Sequence, residues 1–242
     1  PDHAFVGECI ARTGKPGAPA RKLLWPPPYA YTFWLDHWTE ARQKMMVSAD
    51  DSIQSPNMIF LDAEERRWIT PRRGLGELKS ENLQQRWLTS YRVSEQWEGQ
   101  LEASLLAMKS AALQRFEDLI RDMNAFLSGK EILADVKLGE NRLWVKLKNG
   151  TGATHGLDEL SAGEHQVLIQ LYLINRWLEK GGIVLIDEPD LYLHPSLIAG
   201  FLARLEKMVA DRQGQLIITS HVPEVWSRYE ALGQRILLEA GQ

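Results

Sequence analysis

The chain has 242 residues, 44% of them hydrophobic and 25% charged, an ordinary globular balance with length for one large domain or a domain carrying an insertion. A formal net charge of −4 excludes a uniformly basic nucleic-acid binder but leaves room for a local basic patch. The single Cys9 excludes an internal disulfide and suits a reducing, cytoplasmic setting, and no apolar run approaches the roughly 18 to 20 residues that cross a bilayer.

The opening PDHAFVGECI has neither an initiator methionine nor a signal-peptide pattern, so the chain is expected to begin inside a longer protein. Residues 1–56 read as irregular, with GKPGAPARK and WPPPY marking loops or a linker. NMIFLD (57–62) reads as a short buried strand, and EERRWITPRRGLGE (64–77) as a basic loop. In that loop Arg66, Arg67, Arg72 and Arg73 surround Trp68. The cluster is either a plain solvated loop or a contact for a nucleic-acid backbone.

From Ser80 to Leu127 apolar residues recur mostly at three- or four-residue steps, the spacing of a helix face, with no proline between them. One rod of that length would reach about 70 Å, so a helical pair is expected. It forms either a packed helical subdomain or an arm that contacts a partner. ILADVKLG and NRLWVKLKNG alternate like two strands joined at Gly139–Glu140–Asn141. A helix is then expected from Glu164 to about Leu178, followed by a strand GIVLID (182–187), a helix near 196–210, a strand QLIITS (215–220) and a strand RILLEA (235–240). Strands alternating with helices predict an α/β fold whose parallel-rich sheet is covered by helices, with chemistry at the carboxyl ends of the strands. The expected division is an N-terminal lobe with loops (1–79), a helical insertion (80–128) and a C-terminal lobe (129–242).

Four features of the last third fit one purpose. The buried strand IVLID ends on Asp187 and is followed by Glu188 and Pro189. Unpartnered buried carboxylates are costly, so the pair should serve a ligand: Asp187 a hard ion such as Mg2+, Glu188 a water attacking a phosphate. LSAGEHQ (160–166) offers Ser161 as a helix N-cap, with Glu164 completing a capping box and Gly163 allowing close backbone approach. Such a helix start suits an anion. In TSHVPE (219–224), His221 follows a strand and precedes a proline, which places it at the lip of the sheet. DLYLHP (190–195) forms a turn directly after the acidic pair.

LSAGE, IVLIDEPD, LYLHP and ITSH resemble, in order and spacing, the signature, Walker B, D-loop and switch-histidine motifs of ABC-type ATPases. They are most similar to the soluble SMC-like branch, which serves chromosome maintenance and recombination repair, and to the OLD-type ATPases of phage defence. The motif set covers about residues 157–222. The resemblance implies an ABC-type P-loop ATPase fold, with ATP and Mg2+ as cofactors. By position, it implies that Asp187 binds the ion, Glu188 is the catalytic base and His221 contacts the γ-phosphate. Ser161, Ala162, Gly163 and Glu164 would meet ATP held by a second copy, with Asp190 and His194 at the rim of the same site.

The pattern departs from the family in one place. A phosphate-binding Walker A loop needs G-x-x-x-x-G-K-[ST], and neither Gly14–Lys15 nor Gly129–Lys130 fits it. The loop is therefore expected upstream of Pro1, a degenerate ATPase without it being the alternative. The implied protein is a homodimeric ATP-driven switch. Twenty-one residues follow His221, too few for a nuclease domain, so a separate nuclease or other effector is the expected partner, in bacterial antiviral defence. DNA repair or chromosome maintenance is the alternative in the same class. The nucleotide-binding subunit of a membrane transporter is disfavoured by Ala162–Gly163–Glu164 and by the DLYLHP turn, and no membrane association is expected. A non-hydrolysing scaffold is the reading that an ATPase assay separates from the rest.

Overall fold

A computed structural model of the protein describes residues 9–11, 21–23, 33–48, 52, 54–63, 86–90, 97–136, 139–148, 150, 152–232 and 235–236. The Arg66–Arg73 cluster and most of the expected 235–240 strand lie outside the described residues.

The first described elements are an antiparallel pair, β1 (Cys9–Ala11) and β2 (Arg21–Leu23), and a helix α1 (Phe33–Val47). The helix corrects the irregular reading of residues 1–56. Among the described residues the central sheet has four strands, β3 (Met58–Leu61), β4 (Leu88–Ser90), β8 (Ile183–Asp187) and β9 (Gln215–Thr219). They lie in the order β4-β3-β8-β9 and every pairing is parallel. A second, antiparallel sheet holds β5 (Lys130–Ile132), β6 (Trp144–Leu147) and β7 (Thr154–Gly156).

Two stretches differ from expectation. Leu88–Ser90, inside the run read as helical from Ser80, is an edge strand, because its three residues pair with Met58–Phe60. The helical pair is real but shorter, α2 (Trp97–Ala111) and α3 (Leu113–Phe126). The strands around Gly139–Glu140–Asn141 pair as Lys130↔Leu147 and Ile132↔Val145, so an eleven-residue connection replaces a tight turn. Gly139 and Asn141 both take positive φ within it.

Helix α3 shows why these elements pack. Phe116, Leu119, Ile120, Met123 and Phe126 recur at helical spacing and are all buried. With Leu101 and Leu105 of α2 they join one core cluster that includes Ile59, Leu61, Val184 and Ile186 of the sheet. Over residues 100–126 the helical pair is thus part of the core and not a projecting arm. Helices α4 (Ala162–Trp177) and α5 (Pro195–Asp211) complete that layer, and α6 (Pro223–Ala231) follows β9. No helix among the described residues is long and apolar enough to cross a membrane.

Asn57 locks the end of the sheet opposite its carboxyl edge. Its amide donates to the carbonyls of Arg86 and Trp177 at 2.7 and 2.6 Å and accepts from the Glu179 N–H at 2.9 Å. One buried side chain therefore satisfies three backbone groups that the strand and helix ends leave unpaired.

The two faces of the parallel sheet differ. Ile59, Leu61, Val184 and Ile186 are buried beneath the helices, while their neighbours Met58, Phe60, Ile183, Leu185 and Asp187 are half-buried. Asp187 and Thr219 are register partners at the ends of β8 and β9, so both belong to the more open face.

Candidate nucleotide-hydrolysis site

The carboxyl ends of β8 and β9 form a ladder of side chains. Thr219 donates its hydroxyl to Asp187, and Ser220 donates to Asp190 at 2.8 Å. His221 Nδ1 lies 2.8 Å from Glu188 Oε1. Three consecutive residues at the end of β9, Thr219 to His221, thus each meet one acid of the 187–190 stretch. The backbone supports this register, since Glu188 N–H donates to the Thr219 carbonyl at 2.9 Å. An ionised carboxylate can only accept, so the His221 contact places the ring proton on Nδ1 and leaves Nε2 as the second functional atom.

Glu188 reaches this position at a conformational cost. Its φ is +49°, and Tyr192 has a φ of +66° four residues later. Non-glycine residues rarely adopt this left-handed region, and where they do the surrounding structure must hold them. Two successive turns do so, Leu191 N–H to the Glu188 carbonyl at 3.0 Å and Leu193 N–H to that of Asp190 at 2.9 Å. His194 ends the turn as the N-cap of α5, its Nδ1 accepting from Ser196 N–H at 3.3 Å. Pro195 follows at the first helical position, where its missing N–H costs nothing.

Ser161 caps α4 with the capping box that its sequence suggested. Its hydroxyl accepts from Glu164 N–H at 3.3 Å, and Glu164 Oε2 accepts from Ser161 N–H at 2.9 Å. Ala162 is buried at the first position of the helix. Gly163 is required by close approach: a Cβ there would stand 2.9 Å from the Tyr192 carbonyl oxygen. The helix start and the turn after the acidic pair are therefore in backbone contact within one chain. Ser161 itself bonds within its own capping box and not to Glu188 or His221.

Burial pushes the Glu164 carboxyl up, but the Lys130 ammonium and the Ser161 N–H and hydroxyl outweigh it and hold the group below the usual carboxylate range. The next residue behaves differently. His165 is buried and pushed down to about 4 by desolvation, with Asp158 opposing weakly, and its Nδ1 has no hydrogen-bond partner.

Among the described residues no group of three or more His, Cys, Asp or Glu could hold a metal alone. The donors present still fit Mg2+, which takes one or two carboxylates and fills its remaining positions with phosphate and water. Asp187 would be that carboxylate.

Three residues here carry no local signal in the sequence. Thr219 and Ser220 become partners of Asp187 and Asp190 only once the β8–β9 register is known. Lys130 lies 34 positions from Glu164, beyond any local pattern.

Residues 19–227 match the family model described as "AAA domain, putative AbiEii toxin, Type IV TA system". The chain belongs to this family. Two curated relatives are similar over shorter segments. One is Protein ea59 of Escherichia phage lambda, 40% identical over 60 residues, which are 24% of this chain and 11% of that protein. The other is the Retron Ec83 probable ATPase of Escherichia coli, 41% identical over 78 residues, 28% of this chain and 14% of that protein. The matched segments thus span a small part of either relative. The crystal structure of UvrA2 from Deinococcus radiodurans aligns over 50% of this chain and 12% of that one, at 23% identity and a TM-score of 0.29, too low to decide anything. The parallel sheet under its helices, together with the family match, gives the α/β fold of P-loop ATPases.

Proposed function

We propose that this chain is part of an ATP-hydrolysing switch of the soluble SMC-like and OLD-like type. Two copies would enclose ATP between the acidic edge of one and the Ser161 helix start of the other. The observation that carries this reading is the His221–Glu188 contact at the ends of adjacent parallel strands. It places a carboxylate and an imidazole side by side where such sheets do their chemistry.

In this reading Glu188 orients and deprotonates the attacking water. His221 keeps the Glu188 carboxylate aimed through Nδ1 and presents Nε2 to the terminal phosphate. Thr219 holds Asp187 in the orientation needed for an ion, and Mg2+ when bound would neutralise phosphate charge. Ser161 caps a helix whose free N–H groups and dipole favour an anion. ATP would act as the adhesive between copies, and loss of its γ-phosphate would release them.

Similarity to a retron ATPase supports a role in bacterial antiviral defence, with the switch controlling a separate effector, most simply a nuclease. Glu188→Gln in the full-length protein tests the chemistry. It keeps the shape of the side chain and removes the base, so ATP binding should persist while hydrolysis falls by about 10² to 10⁴. Hydrolysis at the parent rate would remove Glu188 from its role.

A further inference from the structure

Gly129–Lys130 fails as a phosphate-loop pair, yet Lys130 has a defined place in the structure. It stands at the start of β5, in the antiparallel sheet, and its Nζ lies 2.7 Å from Glu164 Oε2. The two side chains are 24% and 13% exposed, so the pair is largely shielded from water. The same Glu164 oxygen also accepts from the Ser161 N–H and hydroxyl, each at 2.9 Å.

This geometry limits what Ser161 can do. A serine hydroxyl carries one hydrogen, and here it is already donated to Glu164. Its lone pairs face the Glu164 N–H. A phosphate coming to this helix start must take that hydrogen, and it meets a carboxylate within bonding distance of the same hydroxyl. Like charges so close repel strongly where water is scarce. A cation bonded to the same carboxylate oxygen offsets that charge.

We propose that Lys130 is a positioning residue for the Ser161 helix start. It holds and neutralises the Glu164 carboxylate, so that the Ser161 hydroxyl can turn from Glu164 to the terminal phosphate presented by a second copy. The inference rests on the dimer reading above. It adds that β5, outside the parallel sheet, sets the nucleotide affinity of the opposite half-site.

The test measures self-association of the full-length protein against ATP concentration by light scattering, with Glu188→Gln present throughout to prevent hydrolysis. Lys130→Met should raise the half-maximal ATP concentration about tenfold, the scale of one charge-assisted hydrogen bond. Lys130→Arg should restore it. Glu164→Gln, which keeps an acceptor for Ser161 N–H, should lower it and should bring Lys130→Met/Glu164→Gln to within about twofold of Glu164→Gln alone. A merely structural ion pair predicts the reverse for Glu164→Gln, a weakened response. Parent-like behaviour of Lys130→Met, or a double variant as weak as Lys130→Met, overturns the proposal. If Lys130→Met fails to fold, the sign of the Glu164→Gln effect decides alone. Ser161→Arg separates the two levels of inference. If it leaves the ATP response unchanged the dimer reading fails, and if it abolishes the response while Lys130→Met does not, only the role of Lys130 fails.

Discussion

Asp187 and Thr219 are direct register partners at the ends of two parallel strands, and the hydroxyl of one is bonded to the carboxylate of the other. The bond takes one acceptor position of Asp187 and helps to hold the carboxylate at the end of β8. Thr219→Val keeps the β-branched shape and the strand while removing that bond. The expected result is a three- to tenfold rise in the Mg2+ concentration for half-maximal ATP hydrolysis, the scale of a typical net hydrogen bond. An unchanged Mg2+ titration would show that Thr219 does not orient Asp187.

His221 can be divided by atom. His221→Asn places an amide donor near the Nδ1 position and has nothing at Nε2, whereas His221→Ala lacks both. If aiming Glu188 is the larger part of its role, the Asn variant hydrolyses ATP about tenfold faster than the Ala variant, again one charge-assisted hydrogen bond. Equal rates would assign the work to Nε2.

Gly163 and Gly200 make a matched pair. Alanine is the better helix former by about 1 kcal/mol in a helix interior, where Gly200 lies. At Gly200, where a Cβ would meet nothing within 4 Å, Gly200→Ala should therefore stabilise the fold. At Gly163 the new Cβ would face the Tyr192 carbonyl at 2.9 Å, a backbone atom with little freedom to retreat. Overpacking wins there, and Gly163→Ala should destabilise by about 1 to 3 kcal/mol in urea unfolding. The same variant should lose ATP-driven self-association.

His165 makes stability depend on pH. Folded, it takes up its proton near pH 4, and unfolded near 6.5. Between those values the unfolded chain binds more protons, so stability falls as pH falls. The contribution is whole above about pH 6.5 and gone below about pH 4, roughly 3 kcal/mol in all. His165→Leu should flatten the curve of unfolding free energy against pH across that window. A slope equal to the parent's would place the pH dependence elsewhere.

Much of the site could be read from local chemistry. IVLID announced a buried strand ending in an acid, and Ser161 with Glu164 formed the capping box that their spacing implied. Leu88–Ser90 escaped because a three-residue edge strand is too short for its alternation to show against the helical spacing of Leu83, Trp87 and Tyr91. Helix α1 escaped because its apolar residues form no clear stripe beside the prolines that precede it. Thr219, Ser220 and Lys130 gain meaning from pairings 30 to 34 positions distant, which only the folded register creates.

The left-handed backbone at Glu188 and Tyr192 has a consequence for anyone engineering this protein. Glycine or asparagine would occupy either position with less strain, while the half-buried carboxylate at 188 is bonded to the exposed His221. A library selected for heat resistance alone would drift toward glycine at these two positions. Its winners would be sturdier than the parent and would lack the carboxylate assigned here to catalysis.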